Sequence, residues 1–129
     1  MIAVVSTVAG AFAVDLEDDE VEPWAGELPE AAALALNLPR LVAAAAAGST
    51  VVAVVDTKPP LVVSHDAGAT WRESGRGLPA GRAVAVFEDD PDVVVYAARN
   101  RLYISRDGGT FWSSLAVELP EIQAVEIRS

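Results

Sequence analysis

An eight-residue pattern occurs twice in this 129-residue chain, 41 residues apart. Residues 64–71 and residues 105–112 both read Ser-x-Asp-x-Gly-x-x-Trp. The repetition continues without a gap beyond the pattern, because Leu-Pro follows at 78–79 and again at 119–120. The chain is therefore expected to consist of structurally equivalent units, and the period limits the possible folds more than any other feature of the sequence.

The residue types of the pattern favour a tight turn between two antiparallel strands. Ser and Asp side chains accept hydrogen bonds from turn N–H groups, and Gly supplies a positive φ at little steric cost. Strand-like residues precede each turn, at 61–63 and 102–104, and the Trp that follows is expected to pack its indole against the sheet. We assign a structural role to Ser64, Asp66, Gly68, Trp71, Ser105, Asp107, Gly109 and Trp112. The alternative is that the two aspartates are catalytic or bind a metal.

The repeat register predicts two complete four-stranded units. Apolar runs separated by turn residues place strands at 41–47, 51–55, 61–64 and 71–74, and again at 82–87, 93–98, 102–105 and 111–115. The five alanines at 43–47 favour a helix by propensity, but the repeat aligns them with 84–88 and predicts a strand.

The N-terminal part reads as a degenerate copy with strands at 2–6 and 11–16. When Trp24 is aligned with Trp71, Asp19 matches Asp66, while Glu17 replaces the Ser and Val21 the Gly. Residues 30–38 are predicted to form a short helix or an irregular crossover. The expected single domain thus has a degenerate unit (1–29), a connector (30–39), two complete units (40–79 and 80–120) and an orphan first strand (121–129).

The repeated pattern resembles the Asp-box, or BNR repeat, of sialidases and other β-propeller proteins. The resemblance covers residues 40–127 well and the first 39 poorly. It implies an all-β propeller with about three four-stranded blades per chain, and it implies that Asp-boxes lie at the periphery, away from any active centre. Proteins with this repeat include glycoside hydrolases such as xyloglucanases, sortilin-like receptors and photosystem assembly factors, so the resemblance alone does not fix an activity.

Composition excludes several kinds of site. The chain has no Cys, so thiolate catalysis and Cys-ligated zinc are excluded, and its single His is placed in a solvent-facing turn. A formal net charge of −10 argues against nucleic acid as a partner. We expect no membrane span, no bound metal and no cofactor. The apolar residues 2–14 lack a basic flank and fit the repeat, so we expect no signal peptide and favour a cytoplasmic location.

For function, the sequence favours a non-catalytic binding or scaffolding module with a protein or carbohydrate ligand at the mouth of the axial channel. The alternative is a sialidase-like or other glycoside hydrolase that is active only as an assembled propeller. The resemblance implies a Phe/Tyr-Arg-Ile-Pro motif in sialidases, and residues 37–40 do not match it. Tyr96 and Tyr103 are the only tyrosines, and both are predicted to pack within the sheet.

The two ends of the chain are complementary. Residues 123–127 align with the first strand at 82–86, whereas the N-terminal unit lacks a first strand. Propellers close a ring, typically of 4–8 blades. We therefore expect a homodimeric six-bladed propeller in which strand 123–127 of each chain pairs with residues 2–6 of the other. The alternative is that this chain is part of a longer propeller.

Overall fold

The computed structural model describes residues 1–29 and 36–129. These residues form β1 (Ile2–Thr7), β2 (Gly10–Asp15), β3 (Val21–Pro23), β4 (Leu41–Ala47), β5 (Thr50–Val55), β6 (Leu61–Ser64), β7 (Arg72–Ser74), β8 (Gly81–Val86), β9 (Val94–Ala98), β10 (Leu102–Ser105), β11 (Ser113–Ser114) and β12 (Ile122–Arg128). The predicted all-β class is confirmed.

The strands form three four-stranded antiparallel sheets, which we number as blades. Blade 1 has the order β12-β1-β2-β3, blade 2 the order β4-β5-β6-β7, and blade 3 the order β8-β9-β10-β11. The C-terminal strand thus supplies the strand that the N-terminal unit lacks. The sequence analysis expected this pairing between two chains, whereas here β12 pairs with β1 of its own chain, with Ile2 opposite Arg128.

Blade 3 lies between the other two blades, and its strand β9 is apolar on both faces. Successive side chains of a strand point to opposite faces of the sheet. In β9, Val94 and Tyr96 join the apolar cluster shared with blade 2, while Val95 and Ala97 join the cluster shared with blade 1. Burial on both sides explains why the whole of β9 is apolar and buried.

The alanine run of β4 is a strand, in agreement with the repeat register and against helix propensity. Ala44 pairs with Ala53, and Ala45 and Ala47 pack in the cluster between blades 2 and 3. Small side chains allow the innermost strands to lie close together: β8 contacts both β4 and β12.

The helix or crossover predicted for residues 30–38 falls mostly on residues 30–35, which lie outside the described residues. Residues 36–38 have no regular secondary structure. Within the described residues, no helix is long and apolar enough to cross a membrane.

Candidate functional site

The first repeated turn (residues 64–71) is organised by two side chains. The Ser64 hydroxyl donates to Asp66 Oδ1 at 2.7 Å, and its oxygen accepts the N–H of Gly68 at 2.8 Å. Asp66 in turn accepts the backbone N–H of Thr70 at 2.8 Å. Gly68 has φ +90°, a conformation that side chains disfavour, and the nearest atom to a Cβ placed there belongs to the Trp71 indole.

The second repeated turn (residues 105–112) has the same arrangement. The Ser105 hydroxyl donates to Asp107 at 2.8 Å and accepts the N–H of Gly109 at 2.9 Å. Asp107 accepts the N–H of Phe111 at 3.0 Å. The φ of Gly109, +89°, is almost identical to that of Gly68. Both serines are only 1% exposed, so each hydroxyl satisfies its turn without competition from water.

These hydrogen bonds stabilise the ionised form of both aspartates. The hydroxyl and the N–H of Thr70, followed by the hydroxyl of Ser64, lower the pKa of Asp66 from 3.8 to about 2. The N–H of Phe111 and the hydroxyl of Ser105 lower the pKa of Asp107. A carboxylate whose lone pairs are taken up by its own turn, and whose proton affinity is reduced, is a weak base, and near neutral pH it is ionised and carries no proton to donate.

The two turns differ in what they contact. The second repeated turn contacts β7 of blade 2, where Arg72 donates to Thr110 Oγ1 at 3.1 Å and the Ser74 hydroxyl donates to the carbonyl of Gly109. Trp112 Nε1 donates to Ser74 Oγ at 3.0 Å. Trp112 packs against the cluster between blades 2 and 3, with its ring 6.1 Å from that of Tyr96. Trp71 and Trp112 are both half-buried.

The N-terminal turn departs from the predicted alignment. It is a tight hairpin that closes where the Asp15 N–H donates to the carbonyl of Glu20 at 2.8 Å. Asp15 Oδ1 accepts the N–H groups of Glu17 and Asp18, both at 2.9 Å, and these bonds lower the pKa of Asp15. Asp19, expected at the position of Asp66, instead accepts the N–H of Ala116 from blade 3 at 3.3 Å.

Trp24 is not the counterpart of Trp71 and Trp112. Its N–H donates to the carbonyl of Ala11 at 3.0 Å, as that of Leu115 donates to the carbonyl of Leu102 at 2.9 Å. Trp24 therefore occupies the ladder position of Leu115, three residues beyond Trp112. Because a single Trp does not reveal strand register, the sequence alignment was wrong here by three residues.

A cavity lies where the innermost strands of the three blades converge. It has a volume of about 730 Å³ and is lined by β4, β8 and β12, over residues 42–46, 82–89 and 123–129. We call it the axial groove. Its walls are mostly Ala and Val, and β4 and β12 form opposite sides with β8 between them.

The charged side chains of the axial groove are partly paired. Arg82 forms an ion pair with Glu121 at 2.9 Å, and Arg128 forms one with Glu126 at 2.8 Å. Arg128 also lies 5.4 Å from the centre of the Trp24 ring. Glu88 and Asp89 line the groove where β8 ends. Sequence reasoning placed a ligand at the channel mouth and noted Arg40, Arg82, Glu88 and Arg101 near strand ends without assigning them to the site. Of these four residues, Arg82 and Glu88 line the groove.

The two tyrosines lie outside the groove. Tyr96 is fully buried, donates its hydroxyl to the carbonyl of Pro79 at 2.6 Å and lies 6.1 Å from the ring of Tyr103. Burial raises the pKa of Tyr96 well above its usual value, which disfavours the phenolate. His65 is exposed in the first repeated turn, with Nδ1 3.3 Å from Thr50 Oγ1. Across residues 1–29 and 36–129, no group of three or more His, Asp or Glu side chains could hold a metal ion.

Comparison with known proteins finds similarity in fold only. No protein-family profile and no curated protein sequence matches the chain. Among solved structures, it is similar to the GH74 enzyme of Niastella koreensis (TM-score 0.53, 20% identity, 92% of this chain and 18% of that one). It is also similar to YCF48 bound to D1 peptide (TM-score 0.53, 16% identity, 87% of this chain and 38% of that one). The chain therefore has the β-propeller-like fold of proteins that are much longer than itself.

Proposed function

We propose that this protein is a non-catalytic binding module whose ligand lies in the axial groove. The observation that carries the proposal is the chemistry of the groove: Ala and Val make up 11 of its 20 lining residues, and Arg82 and Arg128 are engaged by neighbouring glutamates. Glycoside hydrolysis by a sialidase-like mechanism needs a Tyr nucleophile and free arginines directed at one point. Tyr96 is instead buried against Pro79, which favours the binding role over the enzyme alternative.

The ligand that suits this groove best is an extended polypeptide. The groove is lined by β4, β8 and β12, each of which pairs with one strand only, so backbone N–H and C=O groups border it on three sides. Such edges recognise peptides through main-chain hydrogen bonds. The similarity in fold to YCF48 bound to D1 peptide agrees with this choice, and the similarity to a GH74 enzyme keeps a carbohydrate as the competing ligand.

Within this proposal the two repeated turns are Asp-boxes with a structural role. Matching hydrogen bonds from Ser64 and Ser105 to their glycines and aspartates support the assignment. Each turn also joins its own blade: Ala67 donates to the carbonyl of Ser49 and Gly108 to that of Asp92, both at 2.9 Å.

The test is a titration of isotope-labelled protein with a mixed library of extended peptides and, separately, with soluble oligosaccharides. We expect peptide-induced NMR shifts at the groove residues, and loss of those shifts in Ala46→Arg, which places a long side chain in the groove. Ala80→Arg, an exposed site outside the groove, is the matched control. Hydrolysis of an oligosaccharide that Ala46→Arg abolishes would support the enzyme alternative instead.

A second part of the proposal is that two chains form a six-bladed ring. The relevant observation is that, among the described residues, blades 2 and 1 stand at opposite ends of the series, on either side of blade 3. The β12–β1 pairing seen within one chain is compatible with exchange, since a swapped strand keeps the contacts that it makes in the monomer. Light scattering tests this: we expect a dimer that is lost after truncation at Pro120. A monomeric full chain, or a dimer that survives truncation, contradicts the exchange.

A further inference from the structure

We call the interface between two neighbouring blades a joint. The joint between blades 2 and 3 and the joint between blades 3 and 1 can be compared position by position. Backbone bonds from Leu115 to Leu102 and from Trp24 to Ala11 place Ala11 of blade 1 at the ladder position of Leu102 in blade 3. Counting back three residues from Trp24, Val21 occupies the position of Trp112. The 41-residue repeat likewise places Ser113 of blade 3 at the position of Arg72 in blade 2, and Leu115 at that of Ser74.

At the joint between blades 2 and 3, these positions are filled. Trp112 lies between the blades and donates to Ser74, while Arg72 lies beside it and donates to Thr110. A Cβ on Gly109 would lie 3.1 Å from Val63, so backbone and side chain are in close contact. The joint is therefore closed by one aromatic and one guanidinium side chain.

At the joint between blades 3 and 1, both side chains are missing. Val21 stands in place of the tryptophan and Ser113 in place of the arginine. A cleft of about 430 Å³ is found at this joint, which is within the usual range for ligand pockets. Its lining residues are Leu16, Asp19, Ile104, Arg106, Asp107, Phe111, Ser113, Ser114 and Leu115.

The cleft combines apolar walls with acidic edges. Leu16, Ile104 and Leu115 line the cleft and are almost fully buried, so the apolar surface that they offer to an aromatic ring is small. Phe111 borders the cleft and is 76% exposed, so its ring is accessible to a ligand. Asp19 and Asp107 supply negative charge, and Arg106, which is 3.5 Å from the carbonyl of Leu16, is the single basic residue in the lining.

We propose that this cleft binds a partner polypeptide through an aromatic side chain, preferably Trp, adjacent to an arginine. The partner would supply the same two side chains, an indole and a guanidinium, that Trp112 and Arg72 supply at the joint between blades 2 and 3. Asp19 and Asp107 line the cleft, and their negative charge matches the positive charge of the guanidinium. This site is separate from the axial groove, since the two cavities share no lining residue.

The first test uses small probes of defined charge. N-acetyl-Trp-Arg-amide is titrated into labelled protein, with N-acetyl-Trp-Glu-amide as the matched probe. We expect shifts at the cleft residues, and binding of the Arg probe about tenfold tighter than that of the Glu probe, which corresponds to about 1.4 kcal/mol. Equal affinities, or shifts confined to the axial groove, overturn the proposal.

The second test rebuilds the closed joint within the chain. In Val21→Trp/Ser113→Arg, the protein supplies both side chains itself, so we expect binding of the Arg probe to be lost and the melting temperature to rise. Val8→Trp, at an exposed site in the β1–β2 turn, is the control and should bind as the unmodified protein does. Undiminished binding by a folded double variant contradicts the proposal.

The third test addresses charge without changing the fold. Asp19→Asn is expected to weaken the Arg probe several-fold and to leave the Glu probe unchanged or slightly improved. Asp56→Asn, at an exposed turn outside the cleft, should affect neither probe. An Asp19→Asn variant that binds both probes as the unmodified protein does would contradict the role of charge in the proposal.

Light scattering with and without the Arg probe tests the competing occupant, a second copy of the chain. A dimer that the probe dissociates would show that a second copy occupies the cleft and would overturn the proposal of a different partner.

Discussion

Two joints between blades, alike in topology, differ in how they are closed. Between blades 2 and 3, the second repeated turn contacts β7 through Arg72, Ser74 and Trp112. Between blades 3 and 1, a tight hairpin leaves a cleft, and the hairpin is linked to blade 3 by bonds from Ala116 to Asp19 and from Arg106 to the carbonyl of Leu16. The fold therefore does not require every joint to be filled, and a joint that lacks the aromatic side chain leaves a cleft that we propose as a binding site.

The largest expected effect comes from removing the side chain that closes the filled joint. Trp112→Ala should cost about 3 kcal/mol in unfolding free energy, near the lower limit for aromatic truncations because the ring is only half-buried. Urea denaturation measures it. Trp71→Ala is the matched variant and should cost less, because Trp112 belongs to an interblade cluster of described residues and donates to Ser74. An equal loss in both variants would contradict the importance of the joint.

Removal of a turn hydroxyl is expected to have the next largest effect. Ser105→Ala leaves the buried N–H of Gly109 without its acceptor and should cost about 2 kcal/mol. Ser64→Ala should cost about 1 kcal/mol, because Gly68 is partly exposed and water can replace the hydroxyl. Thermal melts of both variants, with Ser49→Ala as an exposed control, measure the difference. If neither Ser variant is destabilised, the structural role of the two turns is wrong.

Replacing Gly68 or Gly109 by Ala distinguishes two causes of destabilisation, the strain of a positive φ and a steric contact of the added Cβ with the neighbouring blade. Both glycines have φ near +90°, so Gly68→Ala and Gly109→Ala share a strain of about 1–2 kcal/mol. Gly109→Ala adds a contact 3.1 Å from Val63 across the joint, whereas a Cβ on Gly68 meets only Trp71 at 3.5 Å. We expect the Gly109 variant to melt at the lower temperature, and the reverse order would indicate that the joint yields easily.

The smallest expected effect is on the acid stability of the fold, through the ionisation of Asp66. The folded-state pKa of Asp66, about 2, lies below its usual 3.8, so its ionised form stabilises the fold above pH 3.8 and this contribution is lost as the pH falls towards 2. In Asp66→Asn, the decline in stability between these pH values should be shallower. Thr70→Val, which removes the main cause of the shift, should also reduce the decline. Urea midpoints at pH 4, 3 and 2 measure both, and unchanged slopes would contradict the assigned hydrogen bonds.

The strands of the repeated units were accessible from sequence because each position carries two independent signals. Leu61 and Leu102 begin strands that the apolar pattern and the 41-residue register both identify, and the observed β6 and β10 begin at these residues. The same register correctly overruled helix propensity in β4. The serines, aspartates and glycines of the turns were named for the same reason, although their proposed role still awaits the variants above.

The N-terminal unit was harder to predict from the sequence, because Trp24 does not occupy the strand position of Trp71 and Trp112. Trp24 suggested a worn copy of the repeated turn, but the ladder bond to Ala11 places it three positions further along. Asp15, which organises that hairpin, carries no repeat signal, since its role depends on where β2 and β3 pair. Strand pairing is a long-range property, and a single side chain does not report it.

The repeating units, their strands and the turn chemistry could be predicted from the sequence, because they depend on side-chain alternation and on hydrogen bonds within a few residues. The folded chain was needed to show that β12 pairs with β1 of the same chain, that blade 3 stands between blades 2 and 1, and that one joint is closed while the other has a cleft. These features depend on contacts between residues as far apart as Leu16 and Arg106, and no local pattern encodes such contacts.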